Sequence, residues 1–118
     1  MNFIKTLVTI ILFSILGYSA TLTVPGQYSS IQAAINASVN QDTVLVAPGF
    51  YQENISFSGK DIVVTSTYII DQDSLIIGST IIDGNNTSIV IWIERLDEEF
   101  NSFGSILIKD FTIQNGYS

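Results

Sequence analysis

From residue 43 onward the chain reads as a succession of short strands, three to five apolar and mostly β-branched residues each, separated by turn residues and almost never by a two-residue hairpin signal. Thr43-Val44-Leu45-Val46-Ala47 ends in Pro48-Gly49, residues 51–57 alternate, and Gly59-Lys60 turns the chain into Asp61-Ile62-Val63-Val64-Thr65. Leu75-Ile76-Ile77, Thr80-Ile81-Ile82-Asp83, residues 88–93, Ile106-Leu107-Ile108 and Phe111-Thr112-Ile113 follow, with turn signals at Gly78, Asp83-Gly84-Asn85-Asn86, Gly104 and Asn115-Gly116. Strands joined by loops instead of hairpin turns have to pair with strands distant in sequence, which favours parallel pairing. A weak repeat agrees: LVAPG at 45–49, TIIDG at 80–84 and TIQNG at 112–116 are spaced 35 and 32 residues apart. The pattern predicts an all-β solenoid in which residues 43–118 form parallel strands wound in one right-handed stack. An antiparallel sandwich, resting on the single hairpin-like dipeptide Asp83-Gly84, is the alternative.

One amphipathic stretch precedes the strands. Ser29 stands three residues before Gln32, the spacing of a capping box. Ile31, Ala34, Ile35 and Val39 then form one apolar stripe with Gln32, Asn36 and Asn40 between them. The spacing predicts a helix from Ser30 to about Val39, too short to stand without packing on something. Before it, Thr21-Leu22-Thr23-Val24 reads as a strand stopped by Pro25-Gly26.

Residues 1–20 carry one Lys at position 5, an apolar run over 7–16 and then Gly17-Tyr18-Ser19-Ala20. That run is about half of what a bilayer span needs, so the segment reads as a secretory signal cleaved after Ser19 or Ala20, with an uncleaved N-terminal anchor as the alternative. The chain without it has three basic residues, Lys60, Arg95 and Lys109, against eleven acids, and three minus eleven gives a formal charge of −8. Such a surface repels phosphate backbones and excludes nucleic acid as a partner. The chain has no Cys and no His. Disulfide frameworks, Ser-His-Asp and Cys-His nucleophilic sites and the usual zinc ligand sets are thereby excluded.

Three segments, Ser30-Ile31-Gln32-Ala33-Ala34-Ile35, Asp42-Thr43-Val44-Leu45-Val46 and Gly49-Phe50-Tyr51-Gln52-Glu53-Asn54-Ile55, resemble the N-terminal end of right-handed parallel β-helix proteins of the pectin-lyase-like superfamily. The same opening occurs in pectin methylesterases and in exported bacterial β-helix-repeat proteins. The resemblance implies that residues 21–40 form a cap strand and helix, and that residues 41–118 form about three coils of the domain. It also implies polysaccharide as the associated partner, and it is shared by esterases, lyases and proteins without activity, so it names a fold more than a reaction.

The polar features that could carry chemistry each have a plainer structural reading. Tyr51 and Glu53 could pair as a catalytic acid and its neighbour, but the preferred reading is structural, a corner carboxylate accepting hydrogen bonds beside a packed Tyr. In the related methylesterases the acting Gln, Asp and Arg residues lie on later coils, so no role transfers. Asp71, Asp73 and Asp83 are candidate calcium ligands, although residues 71–75 fail the EF-hand pattern and read as a solvated loop. Asp97-Glu98-Glu99 reads as a loop tip, and Arg95, a candidate lyase base by the same resemblance, as a surface ion pair with Glu94. Gln114 and Asn115 could join an amide ladder. The glycosylation sequons at Asn36, Asn54, Asn85 and Asn86 are silent in a bacterial protein, the origin the resemblance suggests.

The chain stops at Gly116-Tyr117-Ser118 just after a strand and turn, as an uncapped N-terminal piece of a longer protein would. The expectation is therefore an exported, secreted or cell-surface scaffold portion associated with polysaccharide. It has no membrane contact after signal removal, no catalytic, cofactor or metal residues of its own, and the remaining coils of a longer parent as partner. A non-enzymatic adhesion spacer and a fragment of a polysaccharide lyase or pectin esterase are the alternatives.

Overall fold

The computed structural model describes residues 18–94 and 105–117. Nine strands and three helices run in the order β1 (Thr21–Val24), α1 (Ile31–Ala37), β2 (Thr43–Val46), β3 (Gly49–Gln52), β4 (Ile55–Ser58), β5 (Val63–Ser66), α2 (Tyr68–Asp71), α3 (Ser74–Ser79), β6 (Thr80–Asp83), β7 (Ile91–Glu94), β8 (Leu107–Lys109) and β9 (Thr112–Gln114) among the described residues. They make three short sheets, of order β1-β2-β5-β8, β3-β6-β9 and β4-β7. Every pair in them is parallel.

Parallel pairing through loops follows from the missing hairpin turns. Asp83-Gly84 does not make one: β6 ends there, and its neighbours are β3 and β9. The expected all-β solenoid, a right-handed parallel β-helix with a single capping helix, is corrected. The fold is mixed α/β, with three separate short parallel sheets and three helices. The apolar run Leu75-Ile76-Ile77, read as a strand, is helical in α3. The Asp73 side chain accepts from the Leu75 N–H at 3.0 Å and so caps its start, while Gln72, at φ 58°, closes α2 in the left-handed region. Capping overrode β propensity here.

Registry explains the core. Leu22, Val44, Val64 and Ile108 stand opposite one another across the first sheet, and Tyr51, Ile82 and Ile113 across the second. Alternation turns one face inward, and Leu22, Val24, Val44, Val46, Val64, Ile55, Phe57 and Ile82 are buried. Residues 51–57, which alternate continuously in sequence, are broken at Glu53-Asn54 into β3 and β4, which belong to different sheets. The repeat is also corrected. Ile82 pairs with Ile113 and Asp83 with Gln114, one residue out of step with the TIIDG and TIQNG alignment, while LVAPG bridges β2 and the start of β3.

Helix α1 packs against β1, β2 and β4 and buries Ile31, Ala34 and Ile35. It is shorter than expected, and Val39 lies beyond it, 62% exposed. Its N-cap is Ser30 instead of Ser29: the Ser30 hydroxyl accepts from the Ala33 N–H at 3.1 Å. Burying each large side chain of that stripe stabilises by about 1.5–3 kcal/mol.

Candidate functional site

Polar side chains concentrate at the corners where one sheet gives way to the next, and most of them bond to main chain. Glu53, in the two-residue corner between β3 and β4, accepts from the Ile31 N–H through Oε2 at 2.9 Å and from the Gln32 N–H through Oε1 at 3.0 Å. Those are the first two amides of α1, which have no partner inside the helix. At the other end of α1 the Lys60 ammonium donates to the Ile35 and Asn36 carbonyls at 2.7 and 2.9 Å. An acid at the helix start and a base at its end both match the macrodipole.

Asp42 works in the same way. Its Oδ1 accepts from the Ala20 N–H and its Oδ2 from the Val39 N–H, both at 2.8 Å, and the residue is buried. Tyr51 is buried beside Glu53 and donates its hydroxyl to the Ala47 carbonyl at 2.7 Å. Burial raises its pKa above the ordinary tyrosine value, and the Glu53 charge raises it further. A tyrosine held protonated between a carbonyl and an anion is a structural group, and the acid-catalyst reading of Tyr51 and Glu53 finds no support in this geometry.

Among the described residues Asp83 is the most heavily bonded acid. Its Oδ2 accepts from Gln114 Nε2 and from Asn115 Nδ2, each at 2.7 Å, and its Oδ1 accepts from the Asn85 N–H at 2.7 Å. The Gln114 bond foremost, then the Asn85 amide, hold its pKa below the ordinary carboxylate value, with burial opposing and Asn115 assisting. Gln114 and Asn115, the candidates for an amide ladder, thus both donate to one carboxylate. The backbone closes in here too: a Cβ on Gly84 would lie 2.7 Å from the Asn115 carbonyl oxygen.

The calcium candidates do not converge. Asp83 is turned to β9, Asp73 caps α3 and Asp71 lies exposed on α2. Among the described residues no group of three or more His, Cys, Asp or Glu side chains is placed to hold a metal ion. Arg95 and Asp97-Glu98-Glu99 lie outside the described residues, as do residues 1–17 of the segment expected to be a secretory signal. Among the described residues no helix is long and apolar enough to cross a membrane. Of the sequon residues, Asn36 accepts from Gln32 Nε2 at 2.9 Å and Asn54 donates to the Ile89 carbonyl at 3.1 Å.

Sequence reasoning missed Asp42, Lys60 and the edge contact of Gln32. A signal existed for Asp42 and Lys60, since each stands directly before a strand-forming run, where backbone groups enter a sheet. It also missed two outward aromatic side chains, Phe50 on β3 and Trp92 on β7, which are 60% and 54% exposed. Trp92 stands opposite Ser56 in the third sheet, and Phe50 opposite Ile81 in the second. No protein-family model, no curated protein and no solved structure matches this chain.

Proposed function

We propose that this chain is an exported scaffold module that associates with polysaccharide and performs no catalysis itself. The observation that carries this reading is the use of charge: Glu53, Asp42 and Lys60 are all spent on main-chain amides and carbonyls that fasten α1 and the strand ends. A catalytic acid or base needs a free lone pair or proton aimed into a cleft. These groups have theirs committed to the backbone, and the module works without a bound cofactor.

The resemblance of residues 30–55 to the opening of exported pectin-lyase-like proteins supports a polysaccharide partner. The exposed Trp92 and Phe50 offer flat apolar faces of the kind on which sugar rings stack, their negative ring faces meeting the sugar C–H groups. The acidic balance of the chain disfavours polyuronates and favours neutral glycans. The test is retention of the purified protein on insoluble neutral polysaccharide, beside turnover assays on pectic substrates with and without calcium. Retention that falls several-fold in Trp92→Ala, with no product release, is the expected result. Release of unsaturated or de-esterified uronates, or retention indifferent to Trp92 and Phe50, would overturn it.

A further inference from the structure

The bonds around Asp83 have a chemical consequence for one of its donors. Asn115 is the only Asn in the chain followed by Gly. Both residues are exposed, Asn115 sits in the left-handed region at φ 53°, and the Gly116 N–H meets no acceptor among the described residues. Glycine has no Cβ to shield its nitrogen. Asn115 is also the point at which the end of β9 is fastened. Its side chain bonds to Asp83, its carbonyl accepts from the Asn86 N–H at 2.8 Å, and the Gln114 carbonyl accepts from the Gly84 N–H at 3.0 Å.

We propose that Asn115 is a site of spontaneous deamidation restrained by Asp83, and that its conversion unlatches β9 from β6. The Gly116 nitrogen attacks Cγ of Asn115 and gives up its proton; the Cγ–Nδ2 bond breaks and the amide leaves as ammonia with that proton. The resulting succinimide adds one water molecule and opens at either carbonyl, giving Asp or isoaspartate. Water is the only co-reactant and no redox change occurs.

Asp83 slows the first step in two ways. Its Oδ2 holds the departing Nδ2 at 2.7 Å, so the amide must break that bond to become tetrahedral. Its negative charge beside Cγ also disfavours the developing oxyanion. Once conversion has occurred, the same geometry works in reverse. A new carboxylate replaces the donor against Asp83, and two anions cannot share that site without repulsion. In the isoaspartate product the main chain also gains a methylene, which carries the residue 115 carbonyl out of register with the Asn86 N–H.

The experiment ages the purified chain at neutral pH, folded and in denaturant, and maps Asp and isoaspartate by peptide mass and by isoaspartyl-specific methylation. Conversion centred on Asn115, slower in the folded protein, and raised several-fold by Asp83→Ala in the folded but not the denatured state, is expected. Equal folded-state rates in wild type and Asp83→Ala, or conversion centred on another Asn, would overturn the proposal. Because Asp83→Ala could fail to fold, Asn115→Asp supplies an independent reading. Hydrogen exchange at Gly84 and Asn86, whose N–H groups donate to the Gln114 and Asn115 carbonyls, should be several-fold faster in it than in wild type, and unchanged exchange would refute the unlatching.

Discussion

Gln32 meets Ser56 as one strand residue meets another: its Nε2 donates to the Ser56 carbonyl at 3.0 Å, and its Oε1 accepts from the Ser56 N–H at 2.8 Å. A primary amide carries the same donor and acceptor as a peptide unit, so one side chain closes the edge of β4 that β7 leaves open. Open edges recruit other chains. Asn40 does something similar one corner on, its Oδ1 accepting from the Asp61 N–H at 3.0 Å. Helix α1 and the segment that follows it therefore bring to their end of the sheets an apolar stripe for the core and amides for the edges.

Gln32→Ala should cost about 1–2 kcal/mol, the net worth of two partly exposed hydrogen bonds. Gln32→Glu should cost a similar amount, because a carboxylate keeps the acceptor but sets an anion against the Ser56 carbonyl. Thermal unfolding measures the loss. Exchange of the Ser56 amide should quicken in both variants, and more in the alanine variant, which keeps no acceptor.

Glu53→Gln tests the charge at the helix start separately from its shape. Hydrogen bonds to a charged group are worth about 1.5–3 kcal/mol, and partial exposure brings the expected loss to about 1–2 kcal/mol. The urea midpoint should fall with the slope unchanged, since α1 folds in the same place with weaker capping. An unaltered midpoint would mean that the Glu53 charge adds nothing to the capping of Ile31 and Gln32.

Much of this fold was legible because period and turn residues act locally. Thr21–Val24, Thr43–Val46 and Thr80–Asp83 are strands where β-branched runs meet turns, and the apolar stripe of α1 is buried as its spacing required. The illegible parts depend on contacts between residues distant in sequence. Whether Ser29 or Ser30 caps α1 turns on Gln32, whose side chain is drawn 24 residues away to Ser56 and so is lost to a capping box. Leu75-Ile76-Ile77 suits a strand or a helix equally, and only Asp73 and the left-handed Gln72 decide between them. The role of Asp83 as acceptor for Gln114 and Asn115 needed the parallel register of β6 and β9, which the apparent repeat set one residue off.

Acid should loosen the same pair of strands. The folded pKa of Asp83 lies below its unfolded value, so its contribution is fully present above the unfolded pKa and is lost as pH falls through the folded one. Stability should therefore drop below the ordinary carboxylate range, and Asp83→Asn should flatten that part of the curve. At the alkaline end the sign reverses. The raised pKa of Tyr51 means its contribution is intact below the unfolded value of 10.0 and lost as pH climbs past it toward the folded one. Tyr51→Phe should lose about 1 kcal/mol at neutral pH with the Ala47 bond, and should lose the alkaline slope with it. Urea titrations across pH for the wild type and both variants separate the two effects.

Ile35 tests whether α1 stabilises the sheets it covers or merely rests on them. Its side chain is 2% exposed and lies in one cluster with Val44, Val46, Ile55 and Phe57. Ile35→Ala should cost about 2–5 kcal/mol through lost burial and the cavity left behind. Ile35→Asp, which also buries an unpaired charge, should detach the helix altogether. Because α1 packs on β1, β2 and β4 while β8 stands at the far edge of the first sheet, the damage should be graded. Amide exchange over Thr43–Val46 should rise well above that over Leu107–Lys109 in the aspartate variant. Equal acceleration at both strands would mean that the sheets unfold as a single unit, and no change at Thr43–Val46 would mean that α1 contributes nothing to holding β2.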